Sequence, residues 1–311
     1  MNTVHGLSPA ETAALTRRVT LLSVATAAVL VTLKAGVWLV SGSTALLASA
    51  ADSGLDLVAS LVTFFAVRYA VAPPDAEHRF GHGKAEAFAS LVQAGLVFAS
   101  AALIAREAVG DLLDPHPLRA EGWAVAVMIV STALTGLLIM AQTRVLRRTS
   151  SVAVSGDRAH YASDLASNVI ALIGIAASAW LGVNGMDAAA AIVIAALLLW
   201  GAVGVFREAA SQLMDRELPD EQRARIVELM TQDGRLTDVH QLRTRASGPY
   251  VHIQMHVDLD PQLSLEAAHE VIVAAEKRLL TAFPQADIII HADPRGRAEP
   301  HGGAFAESMA Q

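Results

Sequence analysis

Six apolar stretches recur along the first two thirds of the chain, near residues 19–40, 44–69, 86–110, 122–145, 153–181 and 187–208. Each reaches the ~20 residues of helix that cross a hydrocarbon core of roughly 30 Å, so they predict six membrane spans. The first follows Arg17 and Arg18 but runs too long for a signal-peptide core and reads as a retained anchor. After the sixth, "MDRELPDEQRARIVELM" breaks the pattern: Pro219 opens an amphipathic helix whose Arg, Glu and Asp face water. The alternating segments "VHQLRTRAS" and "YVHIQMHVDLD", separated by Gly248-Pro249, predict a β-hairpin. A helix near 264–281 and the strand "ADIIIHAD" complete an α-β-β-α-β order, which suits a small sheet covered on one face by helices.

Composition sharpens this division. Of 311 residues, 53% are hydrophobic and only 17% charged, against roughly a quarter charged in soluble domains. The absence of cysteine excludes disulfides, iron-sulfur clusters, thiolate zinc sites and a cysteine nucleophile. Any metal must be held by His, Asp or Glu. The net charge of −7 resides mostly in the tail, since residues 210–311 hold ten basic and sixteen acidic residues, and nucleic acid is excluded as a partner. Arg17, Arg18, Arg68, Arg79, Lys84, Arg144, Arg147, Arg148, Arg158, Arg207 and Arg216 fall on one side of the predicted bundle, and Arg106 and Arg119 on the other. The retention of positive charge inside predicts that both termini are cytoplasmic, with Trp38, Trp123 and Trp180 as outer interfacial anchors. The expected organisation is a cytoplasmic tail (1–14), a six-helix transmembrane bundle (15–210), a C-terminal cytoplasmic α+β domain (211–295) and a frayed, disordered tail (296–311).

Ionisable residues interrupt two spans. Asp52 and Asp56 stand one turn apart in "ASAADSGLDLVAS", and His160 and Asp164 in "DRAHYASDLASN"; residues at i and i+4 share a helix face. An Asp near a helix centre costs about 2.5 to 3.5 kcal/mol on insertion scales. No Lys or Arg lies within a turn of these carboxylates, and Arg158 does not share the face of His160. They must therefore hold protons or a cation, and a protein alternating between the two exchanges one for the other. Three carboxylates and one imidazole suit Zn²⁺ better than Mg²⁺ or Ca²⁺. The competing reading is polar residues hydrogen-bonded within a bundle. A short echo, Asp52-x3-Asp56-Leu-x2-Ser60 against His160-x3-Asp164-Leu-x2-Asn168, runs in antiparallel spans, as in inverted-repeat transporters.

Histidines also cluster outside the spans. In "PPDAEHRFGHGKAE", Asp75, His78 and His82 are spaced for a shared ion, and Gly81 and Gly83 allow tight turns; the alternative is an ordinary polar loop. In the tail, His240 begins one strand, His252 and His256 share a face of the next, His269 lies on the helix, and His291 and Asp293 end the last strand. That density suggests metal ions at the domain surface or a subunit seam, against incidental histidines on an acidic surface.

The ordered set "DSGLD", "DAEHRFGHGKAE", "HYASD", "HQLRTRASGP", "QMHVDLD" and "IIIHADP" resembles the cation diffusion facilitators, a family of six-span exporters of zinc and related metals, in its bacterial ferrous-iron and zinc efflux branch. The resemblance spans about residues 12 to 295. It implies a transport site of Asp52, Asp56, His160 and Asp164, a second site of Asp75, His78 and His82, and a binuclear cytoplasmic site of His240, His256, His269, His291 and Asp293. It also implies a ferredoxin-like, metallochaperone-like cytoplasmic domain, a homodimer joined through it, and a charge interlock of Lys84 with Asp215 at the membrane edge. His252 has no counterpart role.

The expected function is proton-coupled export of a divalent transition metal, Zn²⁺ first and then Fe²⁺, Cd²⁺ or Mn²⁺, across the bacterial inner membrane, with cytoplasmic ions regulating the dimer. Its partners are metal ions, protons, the lipid bilayer and a second copy of the chain. A membrane metalloprotease would need a string such as H-E-x-x-H, and the nearest, "HEVIV", lacks the second His. A membrane-anchored metal sensor would leave the carboxylates within the spans unexplained.

Overall fold

The computed structural model describes residues 7–41, 44–113, 122–181 and 186–297. Arg119, the side chain of Trp180 and the tail from residue 298 lie outside the described residues. Six long helices come first: α1 (Pro9–Ser41), α2 (Thr44–Ala70), α3 (Ala85–Leu113), α4 (Gly122–Thr149), α5 (Val152–Leu181) and α6 (Met186–Leu213). Within five of them, Ala10–Val40, Ser49–Ala70, Ala85–Gly110, Val125–Thr149 and Ala191–Leu213 have span length and apolarity. The remaining helix, α5, carries Asp157, Arg158, His160 and Asp164.

Helix α1 begins ten residues before the stretch near 19–40 that the sequence predicts. Ser8 starts it as a capping box: its Oγ accepts from the Glu11 N–H at 3.3 Å, while the Ser8 N–H donates to Glu11 Oε2 at 2.8 Å. Pro9 fills the first helical position, where no N–H is needed.

Small residues set the packing. Ala27, Ala59, Ala87, Ala94, Ala101, Ala202 and Ala209 are buried between helices, letting backbones approach where lipid offers no hydrophobic drive to association. Gly156 is the tightest such point, since a Cβ there would lie 3.0 Å from Ser90 Cα. Helix α3 pairs with α6, and α1, α2, α4 and α5 pack around one another. Leu55, Phe65, Phe88 and Trp200 face outward, as a lipid-bathed surface requires.

The C-terminal domain follows the expected order: α7 (Asp220–Thr231), β1 (Val239–Ser247), β2 (Tyr250–Leu259), α8 (Leu265–Ala282) and β3 (Ala286–Pro294). The sheet order is β1-β2-β3, with β1 antiparallel and β3 parallel to β2. Ile226, Met230, Ile253, Met255, Val257, Val271 and Leu279 form the core between helices and sheet.

Glycines bring this domain against the bundle. Gly81 takes φ +78°, as a tight turn needs. Gly83 serves another purpose: a Cβ there would fall 2.1 Å from the carbonyl oxygen of Ser247. The tip of the β1–β2 hairpin, with Gly248 at φ +56°, thus packs backbone to backbone on the α2–α3 loop.

Candidate metal centre

Helices α2 and α5 cross inside the bundle. His160 Nε2 lies 3.1 Å from Asp56 Oδ1 and 3.8 Å from Asp164 Oδ2. Ligand atoms of Asp56, His160 and Asp164 all fall within 4.8 Å of one another, the span of a single coordination sphere. Asp164 Oδ2 is buried without a hydrogen-bond partner, a costly state for a carboxylate oxygen that an ion would relieve. Asp52 is not in this close group. It is more exposed and lines the adjoining cavity, about 240 Å³, together with Asp56 and Asp164.

The cavity lies on one side of the site. Its lining comes from Leu30 and Lys34 of α1, Ser100 and Leu103 of α3, Ser131 and Thr135 of α4, and Ser167 and Asn168 of α5, all on helix halves remote from the C-terminal domain. On the other side a buried polar layer fills the bundle. Tyr161 shares a 2.7 Å hydrogen bond with Ser60 and donates to the Ser23 carbonyl at 3.3 Å. Gln93 and Gln142 donate to the two carboxylate oxygens of Asp157 at 3.2 and 2.9 Å. Asp157 and both glutamines are fully buried.

This layer and Lys34 are what the sequence reading missed. Spacing alone left the carboxylates without a basic neighbour, yet Lys34 of α1 reaches the cavity, donating to Ser53 Oγ at 2.7 Å and to the Ser49 carbonyl at 3.3 Å. The available signal was a polar residue within each apolar run, Lys34, Gln93 and Gln142, and Asp157 three residues before His160.

The α2–α3 loop brings its predicted residues together. Asp75 Oδ1 lies 3.2 Å from His78 Nδ1, and Asp75 Oδ2 lies 3.2 Å from His82 Nε2. The His82 contact is an ion-pair approach rather than an aligned hydrogen bond, since Nε2 is buried with no hydrogen-bond partner. The backbone N–H of His78, assisted by that of Glu77 and by the His78 ring, holds the Asp75 carboxyl below its usual range despite slight desolvation. A carboxylate so ionised is ready to bind a cation.

In the C-terminal domain the strand register aligns the histidines. His240 pairs with His256 across β1 and β2, and His256 with His291 across β2 and β3. Asp293 joins them: Oδ2 sits 2.9 Å from His256 Nδ1 and 3.2 Å from His240 Nε2, and Oδ1 sits 3.4 Å from His291 Nε2. Partial burial opposes ionisation of Asp293, but hydrogen bonds and charge from His256, His291 and His240 outweigh it and hold the carboxyl below its usual range. His269 stands exposed on α8, outside the group that His240, His256 and Asp293 form among the described residues. His252 is buried, with Nδ1 3.1 Å from Asp287 Oδ2. Lys84 Nζ meets Asp215 Oδ1 at 2.9 Å, and Arg245 reaches the other oxygen at 3.1 Å.

Two family models match in sequence order: the cation efflux transmembrane domain over residues 20–214, and the cation efflux protein cytoplasmic domain over 218–295. The chain belongs to the cation diffusion facilitator family. Its relatives include proteins described as cation-efflux pump FieF. That of Serratia proteamaculans is 39% identical over 282 residues, covering 91% of this chain and 94% of the relative. That of Escherichia fergusonii is 38% identical, covering 94% and 97%, and that of Shewanella oneidensis 40%, covering 88% and 92%. The solved structure of CzrB in its Zn form is 32% identical and covers 27% of this chain and 98% of that one, with a TM-score of 0.26. This cation diffusion facilitator is a multi-pass membrane protein of cation efflux, not an enzyme.

Proposed function

We propose that the protein exports a divalent transition metal, Zn²⁺ first, in exchange for protons, from the cytoplasm outward across a bacterial inner membrane. Asp56, His160 and Asp164 would grip the ion, with Asp52 as fourth ligand. The observation that carries this reading is the convergence of those three side chains within 4.8 Å in the bundle interior, one buried carboxylate oxygen left unpartnered. Two carboxylates and an imidazole are a borderline donor set, suited to Zn²⁺ and to Fe²⁺ or Cd²⁺ behind it. Bound ligands must be deprotonated, so protons and metal compete for the same atoms, and binding one expels the other.

Both termini lie in the cytoplasm on this reading, and the cavity then faces outward while the layer of Tyr161, Gln93, Gln142 and Asp157 closes the inner side. Alternating access would open that layer and close the cavity. Asp75, His78 and His82 would hold a second ion. The row of His240, His256 and His291 with Asp293 would hold regulatory ions in a homodimer joined through the C-terminal domains, with His269 completing it from a position the single chain does not bring near. The FieF relatives are named as cation-efflux pumps, which supports a cation as the cargo.

The test is metal-driven proton flux in proteoliposomes. Wild-type protein is expected to move protons against Zn²⁺, and Asp164→Ala to lose at least about a hundredfold in that flux, since it removes a ligand whose loss cannot be made good. Wild-type flux in Asp164→Ala would overturn the assignment.

A further inference from the structure

Lys34 is out of place in a helix bathed in lipid. It is 8% exposed, and an ammonium buried without an opposing charge is costly enough to be excluded from most spans. The two hydrogen bonds from Nζ, to Ser53 Oγ and the Ser49 carbonyl, fix its position but leave its charge uncompensated. The opposing charge lies across the cavity. Asp52, Asp56 and Asp164 line the same 240 Å³ space as Lys34, and all three carboxylates act on it electrostatically. The other residues lining that space are apolar or neutral polar.

The charges sum simply in the metal-binding form, where the ligands are deprotonated and His160 is neutral. Three ionised carboxylates then carry −3, and Lys34 reduces the pocket to −2, which one dication neutralises. We propose that Lys34 is a specificity and release determinant of the transport site, an internal cation tethered beside the cargo that matches the pocket to a divalent ion and repels that ion enough for it to leave. The tether matters as much as the charge: bound to Ser53 and the Ser49 carbonyl, the ammonium lines the cavity without ligating the metal, so it weakens binding without blocking it. The inference rests on the reading of Asp56, His160 and Asp164 as the transport site.

The experiment measures Zn²⁺ transport by Lys34 variants in proteoliposomes, with Asp164→Ala alongside. Lys34→Gln keeps a donor for Ser53 and the Ser49 carbonyl but removes the charge. It is expected to lower the apparent KM for Zn²⁺ about tenfold and to slow kcat by a similar factor, because removing a unit positive charge from the wall of the same cavity removes a repulsion on the order of 1.4 kcal/mol or more. Tb³⁺ is expected to inhibit Lys34→Gln at least about tenfold more strongly than wild type, since the uncompensated pocket matches a trivalent ion. Lys34→Arg, which keeps the charge, is expected to stay within about threefold of wild type in both constants. A merely structural lysine would give the opposite sign, a raised KM or a uniform loss of activity. An unchanged or raised KM in Lys34→Gln, or Tb³⁺ inhibition equal to wild type, overturns the proposal. Should Lys34→Gln fail to reach the membrane, Lys34→Met decides by the same two readouts. Wild-type transport by Asp164→Ala would instead overturn the underlying site, so the two failures are separable.

Discussion

At the scale of single residues, chemistry separates the ligands from their setting. His160 is the one nitrogen donor among the carboxylates of the close group, and an imidazole favours borderline ions over hard ones. Replacing it with Asp makes an all-oxygen set. His160→Asp is expected to shift the transport ratio toward the harder Mn²⁺ by about tenfold relative to Zn²⁺, read as initial rates of each metal in parallel liposomes; unchanged ratios would remove His160 as a selectivity ligand. These ligands were legible because each pair recurs at helical spacing within its own span. Lys34, Gln93 and Gln142 were not, because each lies on a different helix from the site and only packing reveals the neighbour. Asp157 was within reach of the same periodicity, one turn before His160, yet it faces the glutamines rather than the cavity.

At the scale of elements, two contacts tie the C-terminal domain together and to the bundle. Arg278 of α8 closes the end of α7, donating to the carbonyls of Leu229 and Met230 at 3.0 and 3.3 Å and to Asp233 at 3.3 Å, which satisfies carbonyls that a helix end leaves open. Arg278→Ala is expected to cost about 1 to 3 kcal/mol, seen as faster amide exchange through α7 and α8 in the purified protein. Partial burial opposes ionisation of Asp233, but the backbone N–H and guanidinium of Arg235, with Arg278, outweigh it and hold its carboxyl below the usual range. The sign follows: this stabilisation is full above the ordinary carboxylate range and fades as pH falls through the lower folded value, so the mutant's deficit is expected to shrink in acid. The second contact is Gly83 against Ser247. The sequence suggested a turn glycine, but the constraint is a close approach between elements far apart in the chain. Gly83→Ala is expected to push the hairpin off the loop and raise protease cleavage between Leu213 and Leu218; cleavage at the wild-type rate would show that the contact yields freely.

At the scale of the whole molecule, the division into bundle and C-terminal domain was legible because hydropathy changes abruptly near residue 210. Which side of the bundle is open was not legible, since it depends on helix tilt rather than on any residue's identity. The structure answers it by asymmetry: a polar cavity on the side remote from the C-terminal domain, and a filled layer of Tyr161, Ser60, Gln93 and Asp157 on the near side. The chain has no cysteine, so a single introduced thiol reports without background. Ser100→Cys and Ser167→Cys line the cavity and are expected to react with a membrane-impermeant maleimide added on the side away from the C-terminal domain. Ser60→Cys, fully buried beside Tyr161, is expected to stay protected from that side. If the bundle rocks to release its cargo, conditions that favour the opposite state must reverse the pattern, protecting positions 100 and 167 while position 60 becomes reactive from the side of the C-terminal domain. Equal reactivity of all three from both sides would mean a continuous pore, and a pore cannot hold protons and metal in strict exchange.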